Sequence, residues 1–433
     1  MIQQFTTKRD VLGAFANAMN LISPDVGNHH EKVAYIAYRI AEEMGMTEQQ
    51  RMLALSGGLL HDVGGVLKRG DFSLADLEMS AGQIARTGAG LLRAFAATTP
   101  YADVVYDSQT PWERLRQIRK NLRTPALIGQ IVHLADAVSL MLGDSLTVLS
   151  QIGQVREMVR CGGDREFSPD VLAAFESLCG KESVWMDVMY RPQYFLDLIT
   201  DNRWISLDEA VELTDLMSKI VDFRSPFTAM HSAGVAATAS ALAELIGMSD
   251  DECKMMRIAG YLHDIGKLRI PNEILEKPGK LTPEEFSVMK EHAYFTWIIL
   301  KDVRGFDRIM KWAAFHHEKL NGNGYPFHLQ GSELVLGSRI MMVADIFSAL
   351  TEVRPYRGSM EKDGVLGILG RDAKDGLISD IVVRLLADHY EEINERRETE
   401  SRAASRKYQE SVRQADGREA GARDARGGKT GPD

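Results

Sequence analysis

The stretch GMTEQQRMLALSGGLLHDVG (45–64) aligns without a gap on GMSDDECKMMRIAGYLHDIG (247–266), 202 residues further on. A repeat of that length fixes the architecture before any element is assigned, because each copy must bury its own core. The match extends in both directions. HHEKVAYIA falls on HSAGVAATA and pairs His29 with His231, while HLADAVSLML (133–142) falls on MVADIFSALT (342–351) and pairs Asp136 with Asp345. SPDVLAAF (168–175) matches ISDIVVRL (378–385), so the repeat covers roughly 25–180 and 225–388 with its order preserved.

Both copies read as helical. Thr47 with Gln50, and Ser249 with Glu252, form capping-box patterns fourteen residues ahead of each His-Asp pair. SLDEAVELTDLMSKIVDF (206–223) opens on Ser206 and Glu209 and carries apolar residues at helical spacing, as expected of a helix between domains. LTPEEFSVMKEHAYFTWIIL (281–300) has Thr282 as N-cap, Pro283 at the first helical position and Glu285 at the third. No alternating strand pattern of useful length appears. The expectation is an all-α fold in which a linker helix (201–224) joins a first domain (1–200) to a second (225–395). From 396 onward the mixed-charge, Gly/Ala-rich composition predicts a disordered tail.

Composition narrows the function classes. A net charge of −10 excludes bulk binding to DNA or RNA, so an anionic substrate needs its own local positive charge. No apolar run is expected to reach the roughly 18 to 20 residues that span a bilayer, so no membrane role is expected. Cys161, Cys179 and Cys253 stand at unrelated spacings, and MIQQFTTKRD lacks the order of a secretion signal; together these point to a reducing cytoplasm.

The second copy concentrates metal-ligand residues: His231, His263, Asp264, His292, His316, His317 and Asp345. Imidazoles with a few carboxylates suit Fe, Mn, Zn, Co or Ni better than Ca or Mg. The His-Asp pair is expected within a helix, so its side chains leave about 100° apart. The aspartate can then bridge two metals while the histidine holds one. Two such ions can clamp a phosphate for in-line attack.

HDIGK (263–267), then His292, then HHEKLNGNGYP (316–326) and RPYR (354–357) resemble the HD-GYP family of the HD phosphohydrolase superfamily. The resemblance implies tandem HD-type helical domains and a metal-dependent phosphodiesterase of cyclic dinucleotides, either cyclic di-GMP or 3′,3′-cyclic GMP-AMP. It implies that His231, His263, Asp264 and Asp345 hold one metal, and that Asp264, His292, His316 and His317 hold the other. Iron or manganese is the implied pair. Lys267 would reach the scissile phosphate, and Arg354 and Arg357 would hold phosphates. Gly324, Tyr325 and Pro326 form the signature loop, near the substrate and available for partner contact. Glu318 would orient a ligand histidine or cap the loop.

Two departures from the family pattern matter. Asn321 replaces the usual aspartate of the loop. Phe227 stands four residues before His231, where three-metal members carry a glutamate, so a two-metal site is expected. The first copy keeps His29, His61, Asp62 and Asp136 but has no histidine between His61 and His133. PWERLRQ (111–117) stands roughly where the double-histidine block belongs, and Gly65 replaces the lysine. That copy reads as a degenerate regulatory or scaffold domain, a site for homodimer or signalling-protein contact, with room for one ion at most. The competing readings are a receptor that binds cyclic dinucleotide without cutting it, a nucleotide phosphohydrolase and a di-iron oxygenase.

Overall fold

A computed structural model describes residues 5–21, 28–67, 74–96, 98–118, 124–143, 147–199, 203–222, 230–352 and 358–407. The chain forms two compact units. The first comprises Ser23–Gly65 and Phe72–Asp201; the second comprises Asn202–Lys407, the N-terminal Met1–Ile22 and Val66–Asp71. Helix α1 (Lys8–Asn20) thus belongs with the second unit. The first unit holds α2 (His29–Glu43), α3 (Glu48–Leu60), α4 (Leu74–Arg93), α5 (Thr99–Asp107), α6 (Trp112–Ile118), α7 (Thr124–Met141), α8 (Val148–Glu166), α9 (Pro169–Cys179) and α10 (Glu182–Tyr190). The second continues with α11 (Leu207–Asp222), α12 (His231–Ile246), α13 (Asp250–Leu262), α14 (Asn272–Leu275), α15 (Pro283–Leu300), α16 (Asp307–Ala314), α17 (Leu336–Thr351), α18 (Lys362–Lys374) and α19 (Asp380–Asp388). A last helix, α20, runs over 390–407.

The repeat is visible in the packing. In the first unit α2 lies on α3 and α7; in the second α12 lies on α13 and α17. The expected caps are made. Gln50 N–H donates to Thr47 Oγ1 at 3.4 Å and Thr47 N–H to Gln50 Oε1 at 2.9 Å, with the same reciprocal pair at Ser249 and Glu252. Thr282 and Glu285 start α15 in the same way, and Ser206 and Glu209 start α11. Each such cap contributes about 1 kcal/mol by satisfying amides that the first turn leaves open.

Four expectations are revised. Among the described residues there is one small sheet, in which β1 (Thr6–Thr7) pairs antiparallel with β2 (Trp204–Ile205). This pairing, with Phe5 stacked 5.7 Å from Phe306, ties the chain start to the second unit rather than the first. Helix α11 packs on α13 inside the second unit and is not a free connector. Residues 396–407 are helical, with Arg397, Ser401 and Ala404 buried; the rest of the expected tail lies outside the described residues. Finally, α7 is long and apolar enough to cross a bilayer by length and composition, but 67% of it is buried as the central helix of the first unit.

Candidate metal centre

In the second unit the His-Asp pair does not lie within a helix. Helix α13 ends at Leu262, His263 is its C-cap, and Asp264 turns the chain (φ −101°, ψ 7°) into one 3-10 turn, Ile265–Arg269. That turn brings Gly266 against α15: a Cβ there would lie 1.9 Å from the His292 carbonyl oxygen. Only glycine permits this approach, and the approach delivers His292 to the pair. His231 opens α12, His316 and His317 follow the end of α16, and Asp345 projects from α17.

The side chains converge on Asp264. Its Oδ2 lies 3.2 Å from His263 Nε2 and 3.8 Å from His231 Nε2, and its Oδ1 lies 3.5 Å from His292 Nε2 and 3.8 Å from His316 Nε2. One carboxylate therefore faces two groups of donors. Asp345 repeats the division, with Oδ1 3.3 Å from His231 Nε2 and Oδ2 3.9 Å from His317 Nδ1. The ligand atoms of His231, His263 and Asp264 lie within 4.8 Å of one another, as do those of His292, His316 and His317.

Hydrogen bonds behind these histidines set their tautomers. Nδ1–H of His263, His292 and His316 donates to the carbonyl three residues earlier, at 2.8, 2.6 and 2.6 Å. Each Nε2 then presents a lone pair to the centre. Burial lowers the pKa of His292 to about 3 and of His317 to about 4, and neighbouring imidazoles add to the effect; His316 is likewise held well below its usual range. Burial also opposes a charge on His231, yet Glu352 and Asp345 outweigh it and lift its pKa to about 10. Burial opposes charge on Asp264 and Asp345, yet His263 and Lys267 beside Asp264, and His231 beside Asp345, hold both well below the usual carboxylate range.

This donor set fits divalent transition ions. His263 Nε2 and Asp264 Oδ1 are buried with no hydrogen-bond partner, an arrangement that costs free energy unless a cation satisfies it. Lys267 Nζ lies 2.5 Å from Asp264 Oδ2, at the rim of the centre.

The loop of 316–326 closes over the His292 side. Tyr325 stacks on His317 with ring centres 4.8 Å apart, and its N–H donates to the His317 carbonyl at 3.1 Å. Gly324 sits where a Cβ would be 2.3 Å from Glu318 Cα, and the Tyr325–Pro326 bond is cis. Glu318 caps the loop: its carboxylate accepts from the N–H groups of Phe327 and Leu329 at 2.7 and 3.0 Å. Phe227, Arg354 and Arg357 lie outside the described residues.

In the first unit His29, His61 and Asp136 also gather ligand atoms within 4.8 Å, with Asp62 Oδ2 3.1 Å from His61 Nε2. Among the described residues the second set of histidines has no counterpart in this unit. A Cβ on Gly64 would meet the Ile84 carbonyl at 2.1 Å and Gly88 N at 2.4 Å, as one on Gly266 would meet the His292 carbonyl and Thr296 N. Ile84 therefore replaces His292. Gln109, two residues beyond α5 as His316 is two beyond α16, donates to Asp136 Oδ2 at 2.6 Å. Gln109, not the segment 111–117, stands at the place of the double-histidine block. Glu352, Gln109 and Ile84 were not visible in any motif. The faint signal for Glu352 is its position two helical turns after Asp345.

The HD domain family matches residues 215–378 and, in a second match, residues 26–141. Over 409 residues the chain is 32% identical to 3′3′-cGAMP-specific phosphodiesterase 1 of Vibrio cholerae, spanning 88% of this chain and 93% of that one. It is 35% identical over 162 residues to the cyclic di-GMP phosphodiesterase response regulator RpfG of Xanthomonas campestris, 36% of this chain and 42% of the relative. In fold it is similar to a solved cyclic GMP-AMP specific phosphodiesterase of V. cholerae, with TM-score 0.62 and 22% identity over 89% of this chain and 98% of the other.

Proposed function

The chain belongs to the HD-GYP family as a tandem of two HD domains, and from that premise we propose that its second unit hydrolyses cyclic dinucleotides to linear dinucleotides. The observation that carries the reading is Asp264, whose two oxygens face separate sets of imidazoles, His231 and His263 on one side and His292 and His316 on the other. We take 3′,3′-cyclic GMP-AMP as the first substrate to test, since the relative that matches nearly the whole chain bears that name; cyclic di-GMP is the second.

His231, His263, Asp345 and Asp264 Oδ2 would hold one ion, and His292, His316, His317 and Asp264 Oδ1 the other. Iron and manganese suit these donors. When bound, such ions supply Lewis acidity and a nucleophile at neutral pH. The chain supplies the rest. Lys267 offsets negative charge growing on the phosphoryl oxygens. Burial pushes the Tyr325 phenol up, so it stays a neutral hydrogen-bond donor beside the His317 face. Arg354 and Arg357 are proposed as phosphate contacts, and the Gly324–Tyr325–Pro326 loop as the wall of the substrate site. The first unit serves as scaffold and contact surface, for a second copy or a signalling protein. Because the proposed substrate is a bacterial second messenger, we infer a cytoplasmic location for this work.

The test is a product assay on protein loaded anaerobically with ferrous iron or manganese, offered both cyclic dinucleotides, with Asp264→Ala as control. Linear dinucleotide from the wild type alone supports the reading. Saturable binding without product overturns it in favour of a receptor.

A further inference from the structure

His263, His292 and His316 each find an acceptor for Nδ1–H in their own chain three residues back. His231 differs. It is the first residue of α12, so no preceding helical turn offers it a carbonyl. Glu352, just beyond the end of α17, takes that role with its oxygens 3.0 and 3.3 Å from His231 Nδ1. Helix α17 thus grips the imidazole from both sides, with Asp345 on Nε2 and Glu352, seven residues later, on Nδ1.

Helix α20 backs Glu352. The meeting point is Gly234, one turn after His231, where a Cβ would lie 3.0 Å from Ser401 Oγ, 3.3 Å from Arg397 Cγ and 3.4 Å from Glu352 Oε1. Ser401 Oγ donates at 3.2 Å to the carbonyl of Met230, immediately ahead of His231. Arg397 is only 5% exposed, and its guanidinium is fixed by two bonds to Asn394 Oδ1 at 3.0 and 3.1 Å. Further along the same face, Ala404 packs with Ala233, Ala236 and Tyr261.

We propose that Glu352 is a positioning residue for His231, and that the C-terminal helix, through Arg397 and Ser401, is the clamp that holds it. Docking of α20 then sets the affinity of the His231 side of the centre and leaves the His292 side unaffected. The proposal rests on reading the centre as a two-ion site.

Cobalt(II) titration of the intact chain against a competing chelator, followed by visible absorbance, tests it. Glu352→Ala weakens one of two ions by about 10- to 100-fold and leaves the other unchanged. Glu352→Gln, which keeps an acceptor without the charge, falls between. Arg397→Met with Ser401→Ala shows the same one-sided loss, smaller in size. Equal weakening of both ions, in step with a loss of thermal stability in the metal-free chain, means a merely structural role and overturns the proposal, as does unchanged affinity in both Glu352 variants. Wild type that binds two ions tightly but forms no product refutes the phosphodiesterase reading alone. Wild type that binds no cobalt ends both.

Discussion

The two units share a path of the main chain and differ in what hangs from it. Where the second has His292, the first has Ile84; where the second has His316, the first has Gln109, whose amide donates to Asp136 Oδ2. The ring nitrogen behind the opening histidine is held by a carboxylate, Glu352, in the second unit and by a hydroxyl, Ser139 Oγ at 3.0 Å, in the first. Ser348, the repeat counterpart of Ser139, is buried with its hydroxyl unpartnered. The first unit shows that a cluster of His29, His61 and Asp136 can sit in a helical core without the second set of imidazoles. Two-ion chemistry needs the second set of imidazoles as well.

The largest break in the comparison is expected at its shared aspartate. Asp264→Ala lowers product formation on the order of 10³-fold or more, because it would remove a donor from both proposed ion positions at once. Asp62→Ala in the first unit leaves turnover within about twofold, measured in the same assay. Lys267→Ala comes next, with kcat down roughly 10²-fold and metal content retained, as for removal of one charge-stabilising donor.

Acid sharpens the comparison through stability. His30 in the first unit, driven to about 3 by burial, and His292 and His317 in the second, at about 3 and 4, refuse protons that the unfolded chain accepts below about pH 6.5. Their folded pKa lies below the unfolded one, so stability is present above 6.5 and is lost as pH falls towards 4. His231, whose folded pKa is raised to about 10, adds little slope well below 6.5, where it is protonated in both states. Denaturant midpoints of metal-free protein should fall from pH 6.5 to 4.5, by up to about 1.4 kcal/mol per pH unit for each histidine. A flat profile contradicts the neutral-imidazole assignment.

Smaller effects test the substituted positions. Ile84→His buries a ring among apolar neighbours and costs about 1–3 kcal/mol in thermal unfolding, without restoring hydrolysis to the first unit. Asn321→Asp is expected to change turnover by less than twofold. The side chain accepts from Asn323 N–H at 3.1 Å on an exposed loop, a bond the carboxylate can also make.

Much of this was legible in the chain. The gapless repeat and four capping boxes located the helices, and the histidines and aspartates singled out by the motif order lie together in the second unit. What was hidden depended on contacts distant in sequence. The chain start pairs with residues 204–205 through two-residue strands too short to leave a pattern. Residues 396–407 look like a solvated tail because Arg, Glu and Ser dominate, yet Arg397, Ser401 and Ala404 fall at i, i+4 and i+7, a helical face. The position of the His-Asp pair at a helix end was missed because nothing local stops α13; the close packing at Gly266 does.

That glycine carries a warning for anyone who mutates the protein at random. Gly64 and Gly266 own no reactive atom, yet any side chain there would strike a main-chain carbonyl of the neighbouring helix. A screen scored on activity would rank Gly266 beside the ligands, and a screen scored on protein yield would rank Gly64 equally high. Read together, the two scores separate chemistry from construction: a position that fails both is masonry, and one that fails only the first is a tool.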